Sequence, residues 1–146
     1  RQVGDGRNWI SMSYVENAAA AHLQAADTLT SESSAVGGRA YFINELEPVL
    51  IWNWINELLT IAEVHPVRKS ISASVAYAAG GILEGVYTLL GKQDEPLMTR
   101  FLAQQLSLSH TYSVARAQAD FGYHPIVDPQ TALNRLVPDL KRLGRE

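Results

Sequence analysis

Between Met98 and Tyr112 the chain interleaves apolar Met98, Phe101 and Leu102 with Arg100, His110 and Tyr112, three side chains able to donate hydrogen bonds. That mixture suits a greasy ligand with one polar end. The same residues admit a plainer reading, in which Phe101 and Leu102 pack a helix and Arg100 is solvated. A tyrosine serves better as a proton donor with a cation at hand, for example a lysine one helical turn later, whose charge lowers the pKa of the phenol. The residues four places after Tyr14, Tyr41, Tyr77, Tyr87, Tyr112 and Tyr123 are Ala18, Glu45, Gly81, Gly91, Arg116 and Val127. None is lysine, and the sequence offers no catalytic set.

His22, His65, His110 and His124 include no pair at the three- or four-residue spacing of a helical metal site, so no metal ligand is expected. His22, within an Ala-rich run, reads as a hydrogen-bonded core histidine, and His124 before Pro125 as a loop residue. Glu45 and Glu47 read as solvated acids in a turn ahead of a helix, where they favour its dipole. With no cysteine there is neither a thiolate nucleophile nor a disulfide. Gly4-Asp5-Gly6 is the sole G-x-G and precedes a strand, whereas a dinucleotide fingerprint follows one; it reads as a turn, and no cofactor-binding residue is assigned.

These residues must be held by elements, and the hydrophobic period marks them out. From Asn8 to Ser13 the run is β-rich; from Val15 to Leu29, Val15, Ala18, Ala19, His22, Leu23 and Ala26 recur at helical spacing. Thr30 to Ser34 with Gly37-Gly38 predict a loop, Arg39 to Asn44 a short buried strand, and Val49 to Ala62 a helix with the stripe Ile51, Ile55, Leu58, Leu59 and Ala62. His65 to Ser70 should be extended. A long helix over Ser72 to Leu90 follows, with Val75, Ala79, Ile82, Val86 and Leu89 or Leu90 expected on its packed face and Gly80-Gly81 as its weak point. Short helices over Leu97 to Leu106 and Val114 to Phe121 flank an extended His110 to Ser113. Gly122 supplies a stop and Asp128-Pro129 a start, and the last helix should kink at Pro138.

The order of strands and helices indicates an α/β protein with a helical excess. A net charge of −3, with no basic cluster longer than Arg68-Lys69, argues against nucleic acid as a partner. The most apolar stretch, Ser70 to Leu83, holds three serines and two glycines and is closed by Glu84, short of the roughly 20 apolar residues a membrane span requires. No signal segment precedes the first strand, so a cytoplasmic protein is expected.

Four stretches carry a family resemblance: Gly4-Asp5-Gly6-Arg7-Asn8 with Tyr14-Val15-Glu16-Asn17; Gly37 to Asn44 with Glu47-Pro48-Val49; Glu95 to Phe101; and Ala115-Arg116 through Asp120 to Pro125. Together they resemble the C-terminal part of the extended short-chain dehydrogenases/reductases, in the 3β-hydroxysteroid dehydrogenase-like and 2-alkyl-3-oxoalkanoate reductase-like branch. The resemblance implies the C-terminal portion of a Rossmann-type NAD(P)-binding fold, its last strands and outer helix within residues 1–62, followed by a helical substrate-binding lobe over residues 63–146. It implies a parent enzyme that uses NAD or NADP on a hydroxyl or ketone of a hydrophobic, sterol-like or β-keto fatty acyl-like substrate. The glycine fingerprint and the Tyr and Lys of that family are missing here, so the chain alone is expected to be catalytically incomplete and to bind no cofactor. Its share of the substrate wall would be Met98, Arg100, Phe101, His110 and Tyr112. An unpaired sheet edge and uncovered apolar helix faces would favour a homo-oligomer. The competing reading is a self-standing α/β binding module without chemistry.

Overall fold

The structure is a computed structural model that describes residues 1–29, 34 and 36–145. Its elements in order are β1 (Gln2–Val3), β2 (Trp9–Ile10), α1 (Val15–Asp27), β3 (Val49–Leu50), α2 (Ile51–Ile61), β4 (Ser70–Ile71), α3 (Ala73–Leu89), α4 (Arg100–Ser107), α5 (Ala115–Phe121) and α6 (Pro129–Leu143). They form two compact units, each made of two separate segments. One comprises Arg1–Ile10 and Leu50–His110, the other Ser11–Val49 and Thr111–Glu146.

In the first unit β1 and β4 pair in parallel, Gln2 opposite Ser70 and Val3 opposite Ile71. Gly4 and Gly6 take φ of 80° and 78°, conformations only glycine adopts without strain, and Arg7 N–H closes the turn on the Asp5 carboxylate at 3.0 Å. The unit's core is Val3, Trp52, Ala76 and Ala103, with Ile51, Ile55, Val67, Ile71, Met98 and Leu106 packed on it. Trp52 satisfies its indole N–H on the Leu106 carbonyl at 3.0 Å. Ser72 caps α3 by accepting from Val75 N–H, and Thr99 caps α4 by accepting from Leu102 N–H.

The packed face of α3 differs from the expected one. Ala76 and Gly80 are buried, whereas Val75, Ile82, Val86, Leu89 and Leu90 face outward. The reason lies at Gly80, where a Cβ would come within 2.6 Å of the Thr99 carbonyl carbon and 2.7 Å of Arg100 N. The start of α4 runs so close across α3 that only the helix's small-residue side fits beneath it. Gly80 is thus a point of close approach.

In the second unit the core is Ala21, Val36, Val114, Ala117, Phe121 and Tyr123, with Ala25, Tyr41 and Ile43 packed on it. Gly122 ends α5 at φ 71°, and Asp128 caps α6 through Thr131 N–H at 3.0 Å with Pro129 in the first turn. Here too the buried side of α1 is not the expected stripe. Val15 and Leu23 are exposed, and the buried positions are Asn17 and Ala21. His22 keeps its hydrogen bond, with Nδ1 2.7 Å from the Ala18 carbonyl, but lies at the surface.

Asn17 is fully buried and fully satisfied. Its amide donates to the Glu45 carboxylate at 2.9 Å and the Val127 carbonyl at 2.8 Å, while its oxygen accepts from Ile126 and Val127 N–H, both at 2.9 Å. Glu45 also accepts from Tyr14 N–H at 3.1 Å, which makes it a structural acceptor where a solvated acid was expected. The strand expected over Arg39 to Asn44 forms no ladder among the described residues. Tyr41 and Ile43 instead anchor the segment on the core, and Tyr123 Oη donates to the Asn44 carbonyl at 3.0 Å. Most of the polar loop expected over Thr30 to Ser34 lies outside the described residues.

Candidate functional site

In the first unit the crossing of α3 and α4 opens a groove of about 310 Å³, lined by Ala73, Ser74 and Tyr77 from α3, by Ala103, Gln104 and Ser107 from α4, and by Leu108. Its walls are apolar with uncharged polar groups set into them. Ser107 Oγ is committed to the Ala103 carbonyl at 2.7 Å, and Ser74 Oγ lies 3.2 Å from Ser72 Oγ. Such a lining can solvate a carbonyl or hydroxyl and favours no ion.

Beside the groove stands Arg100. Glu84 accepts its backbone N–H at 2.7 Å and its Nε at 2.7 Å, so one carboxylate closes the first turn of α4 and fixes the guanidinium. The hydrogen bond and charge of Glu84 raise the Arg100 pKa further, and Tyr77 of the groove adds to this. In return, the backbone and then the side chain of Arg100 hold the Glu84 carboxyl below its ordinary value. The pair uses Nε; the terminal guanidinium nitrogens carry the remaining donors at the exposed end of the side chain.

The other residues singled out from the sequence are placed as follows. Met98 is half-buried against the core, and Phe101 points outward from α4. His110 sits beyond the other end of that helix, bridged in parallel to Ile10, with its N–H donating to the Trp9 carbonyl at 2.9 Å and its Nδ1 3.2 Å from the Leu108 carbonyl. Arg100 and His110 are therefore separated by the length of α4, about 12 Å. Tyr112 belongs to the second unit, where its ring stacks on Phe42 at 4.4 Å and its N–H donates to Ser11 Oγ at 2.9 Å. Ser74, Tyr77 and Gln104 were not found from the sequence. The alternation of Ser74 and Tyr77 with small residues was the available signal, and the wrong choice of packed face concealed it.

The second unit holds a cavity of about 260 Å³ lined by Ala21, His22, Ala25, Arg39, Tyr41, Ile43 and Phe121. Behind it Asp120 gathers Tyr41 Oη at 2.7 Å, Arg39 Nη1 at 3.0 Å and Arg116 Nε at 3.7 Å. Donation from Tyr41, then the guanidinium of Arg39, lowers the Asp120 pKa. Burial, followed by the Asp120 carboxylate, raises that of Tyr41, which keeps the phenol protonated. Among the described residues no group of three or more His, Cys, Asp or Glu could hold a metal ion, and no helix is long and apolar enough to cross a membrane.

Over residues 1–72 the chain matches the model of the 3-beta hydroxysteroid dehydrogenase/isomerase family. It is 40% identical over 138 residues to a 2-alkyl-3-oxoalkanoate reductase of Shewanella oneidensis, an alignment covering 94% of this chain and 36% of that protein. With a protein of the same name from Stenotrophomonas maltophilia it is 43% identical over 136 residues, 93% of this chain and 41% of the other. The 3beta-hydroxysteroid-dehydrogenase/decarboxylase isoform 1 of Arabidopsis thaliana is 30% identical over 146 residues, 97% and 33%. Among solved structures, the crystal structure of gox2253 shares the fold at a TM-score of 0.56 and 19% identity, covering 92% of this chain and 40% of that one. The chain thus spans about two fifths of the length of the proteins it matches. With its mixed α/β fold, the chain is similar over residues 1–72 to the 3-beta hydroxysteroid dehydrogenase/isomerase family and over nearly its whole length to a part of these relatives.

Proposed function

We propose that this chain is the C-terminal, substrate-enclosing part of an NAD(P)-dependent oxidoreductase that acts on a hydroxyl or ketone of a hydrophobic substrate of the 3-oxoalkanoate or sterol class. The observation that carries the reading is the α3/α4 groove: apolar walls, uncharged donors at Ser74, Tyr77 and Gln104, and Arg100 oriented beside it by Glu84. A ligand with an aliphatic body and a single oxygenated end fits that lining. The names of the relatives, reductases of 3-oxoalkanoates and dehydrogenases of sterols, support the same substrate class. Hydride chemistry belongs to the nicotinamide, bound by a part of the longer protein that residues 1–146 do not supply; this chain excludes water and orients the substrate.

Met98, Arg100, Phe101 and His110, all of the first unit, are proposed to meet substrate there; Tyr112, of the second unit, is proposed as a substrate contact on its own account. The test is steady-state kinetics of the full-length protein, following oxidation of the reduced nicotinamide with a 2-alkyl-3-oxoalkanoate. Arg100→Ala, Tyr77→Phe and Tyr112→Phe should each raise KM about tenfold with little change in kcat, because each removes a contact made equally to substrate and transition state. Unchanged KM together with a lowered melting temperature would reduce these residues to structural ones. Failure to turn over any 3-oxo acid or sterol would sink the reading itself.

A further inference from the structure

We infer that Arg100 holds the carboxylate of an acid substrate, and that through it the protein tells a 3-oxo or 3-hydroxy acid from a neutral analogue of the same shape. This rests on the reading above, a substrate of the 3-oxoalkanoate class, and adds a site for the charge such a molecule carries. Tyr77, Gly81 and Glu84 stand four and then three residues apart on α3, with Gly80 beside them, so they form a single stripe. Each acts on the start of α4. Gly80 admits its backbone, since a Cβ there would meet the Thr99 carbonyl and Arg100 N. Gly81 makes a bed for the Arg100 stem: a Cβ there would already touch it, 3.4 Å from Cδ and 3.8 Å from Cγ, and any longer side chain would displace it. Glu84 accepts from Nε at 2.7 Å, and Tyr77, after Glu84, adds to the pull on the guanidinium. The side chain is therefore fixed along its stem and at Nε.

A structural role does not require so much. The backbone N–H of Arg100 closes the first turn of α4 on Glu84 at 2.7 Å, and any residue but proline would supply that bond. Arginine is otherwise a poor choice at the first position of a helix, where the dipole disfavours a cation. What the arrangement leaves is the outer edge of a planar fork. With Glu84 on Nε, the two terminal nitrogens offer parallel N–H donors suited to a carboxylate, which a point charge such as lysine would not match.

The groove supplies the rest of the recognition. None of the residues that line it is charged, so the charge of an acid meets its partner at Arg100 beside it. Gln104 stands four residues after Arg100, one turn along the same side of α4, and Tyr77 adjoins both the groove and the guanidinium. In a 3-oxo acid a single carbon separates the carboxylate from the oxygenated carbon. A carboxylate on Arg100 thus brings the 3-oxygen within reach of the Tyr77 hydroxyl or the Gln104 amide, with the alkyl chains left for Ala73, Ala103 and Leu108. Because Glu84 stands close and the Arg100 side chain is half-exposed, the carboxylate contributes about tenfold in binding, at the lower end for charge-assisted bonds.

The assay is oxidation of 2-methyl-3-hydroxydecanoate and of its methyl ester by the full-length protein, followed as reduction of NAD or NADP. The KM of the acid should be about tenfold lower than that of the ester at similar kcat, and raising NaCl from about 50 to about 500 mM should narrow the gap by weakening the acid. Arg100→Gln should bring the acid to the KM of the ester, abolishing the preference, whereas Arg100→Lys, which keeps the charge without the fork, should retain part of it. Equal KM for acid and ester in the unaltered protein, or a preference that survives in Arg100→Gln, would overturn the inference and leave the groove reading standing. The comparison of acid with ester and its salt dependence decide the matter even if the variants fail to fold. Turnover of neither compound, nor of any other 3-oxo acid or sterol, would remove the groove reading itself.

Discussion

Replacing Asn17 by alanine should destabilise the second unit more than any other single truncation of a side chain this small. The substitution leaves the Ile126 and Val127 N–H groups and the Val127 carbonyl without their partner, and it takes one donor from Glu45. Water reaches Ile126, which is exposed, but not the buried backbone of Val127. Two orphaned buried groups at about 1–3 kcal/mol each give a loss of about 2–6 kcal/mol, a large share of the roughly 5–15 kcal/mol by which a domain is stable. At about 3 °C per kcal/mol for a chain of this size, the melting temperature should fall by about 6–18 °C. Asn17→Asp tests the assignment of donors and acceptors. It keeps the acceptor for both N–H groups but sets a second carboxyl 2.9 Å from Glu45, where burial and like charge raise the pKa of the new acid. A folded-state pKa above the unfolded one contributes stability that is present at low pH and lost as pH rises through it. The variant should accordingly be more stable near pH 4 than near pH 7, while Asn17→Ala should show no such reversal. Urea unfolding of both across that range is the assay. A loss under about 1 kcal/mol for Asn17→Ala would refute the view that these bonds fix α1, three of them to the segment at Ile126 and Val127 and the fourth to Glu45.

Gly80→Ala should cost about 2–3 kcal/mol in thermal melts despite alanine's better helix propensity, because its Cβ meets backbone of Thr99 and Arg100. Gly85→Ala, with open space around it, should instead stabilise dilute protein by about 1 kcal/mol. Glu84 is held below its ordinary pKa by Arg100, so its contribution is present above the usual carboxylate range and is lost as pH falls through the lowered value. Glu84→Gln should flatten the acid side of the urea midpoint against pH, and an unaltered slope would show that the pair does not titrate with folding. Thr99→Ala, which removes the cap of α4, should lower stability by about 1 kcal/mol in the same assay.

Helix ends were legible because their signals are local. Ser72, Gly122 and Asp128-Pro129 act within one turn through their own side chains or φ angles, and the structure places each where its chemistry requires. Packed faces were not legible in the same way. Along α3 both the stripe through Val75 and Ile82 and the side holding Ala76 and Gly80 run at helical period, and hydrophobicity favours the first. The choice is made by a backbone crossing from Thr99, far along the chain, that tolerates no side chain. Arg39 to Asn44 shows the converse limit: strand composition yields a strand only with a ladder to join, none forms here among the described residues, and Tyr41 and Ile43 anchor the segment on the core. The groove residues Ser74, Tyr77 and Gln104 escaped notice for the same reason, since two helices must meet before they share a surface.

The division of the chain into two units made of alternating segments bears on how the protein comes apart. The polypeptide passes from one unit to the other three times, after Ile10, after Val49 and after His110. Completing the second unit requires its segments to meet across the roughly sixty residues from Leu50 to His110, a closure worth about 3–4 kcal/mol of entropy if they are unstructured and less once they have folded. A protease that cuts at one crossing liberates neither unit, because each remains tied through the others. Cleavage of the native chain should therefore yield nicked molecules that travel as one particle and separate only in denaturant.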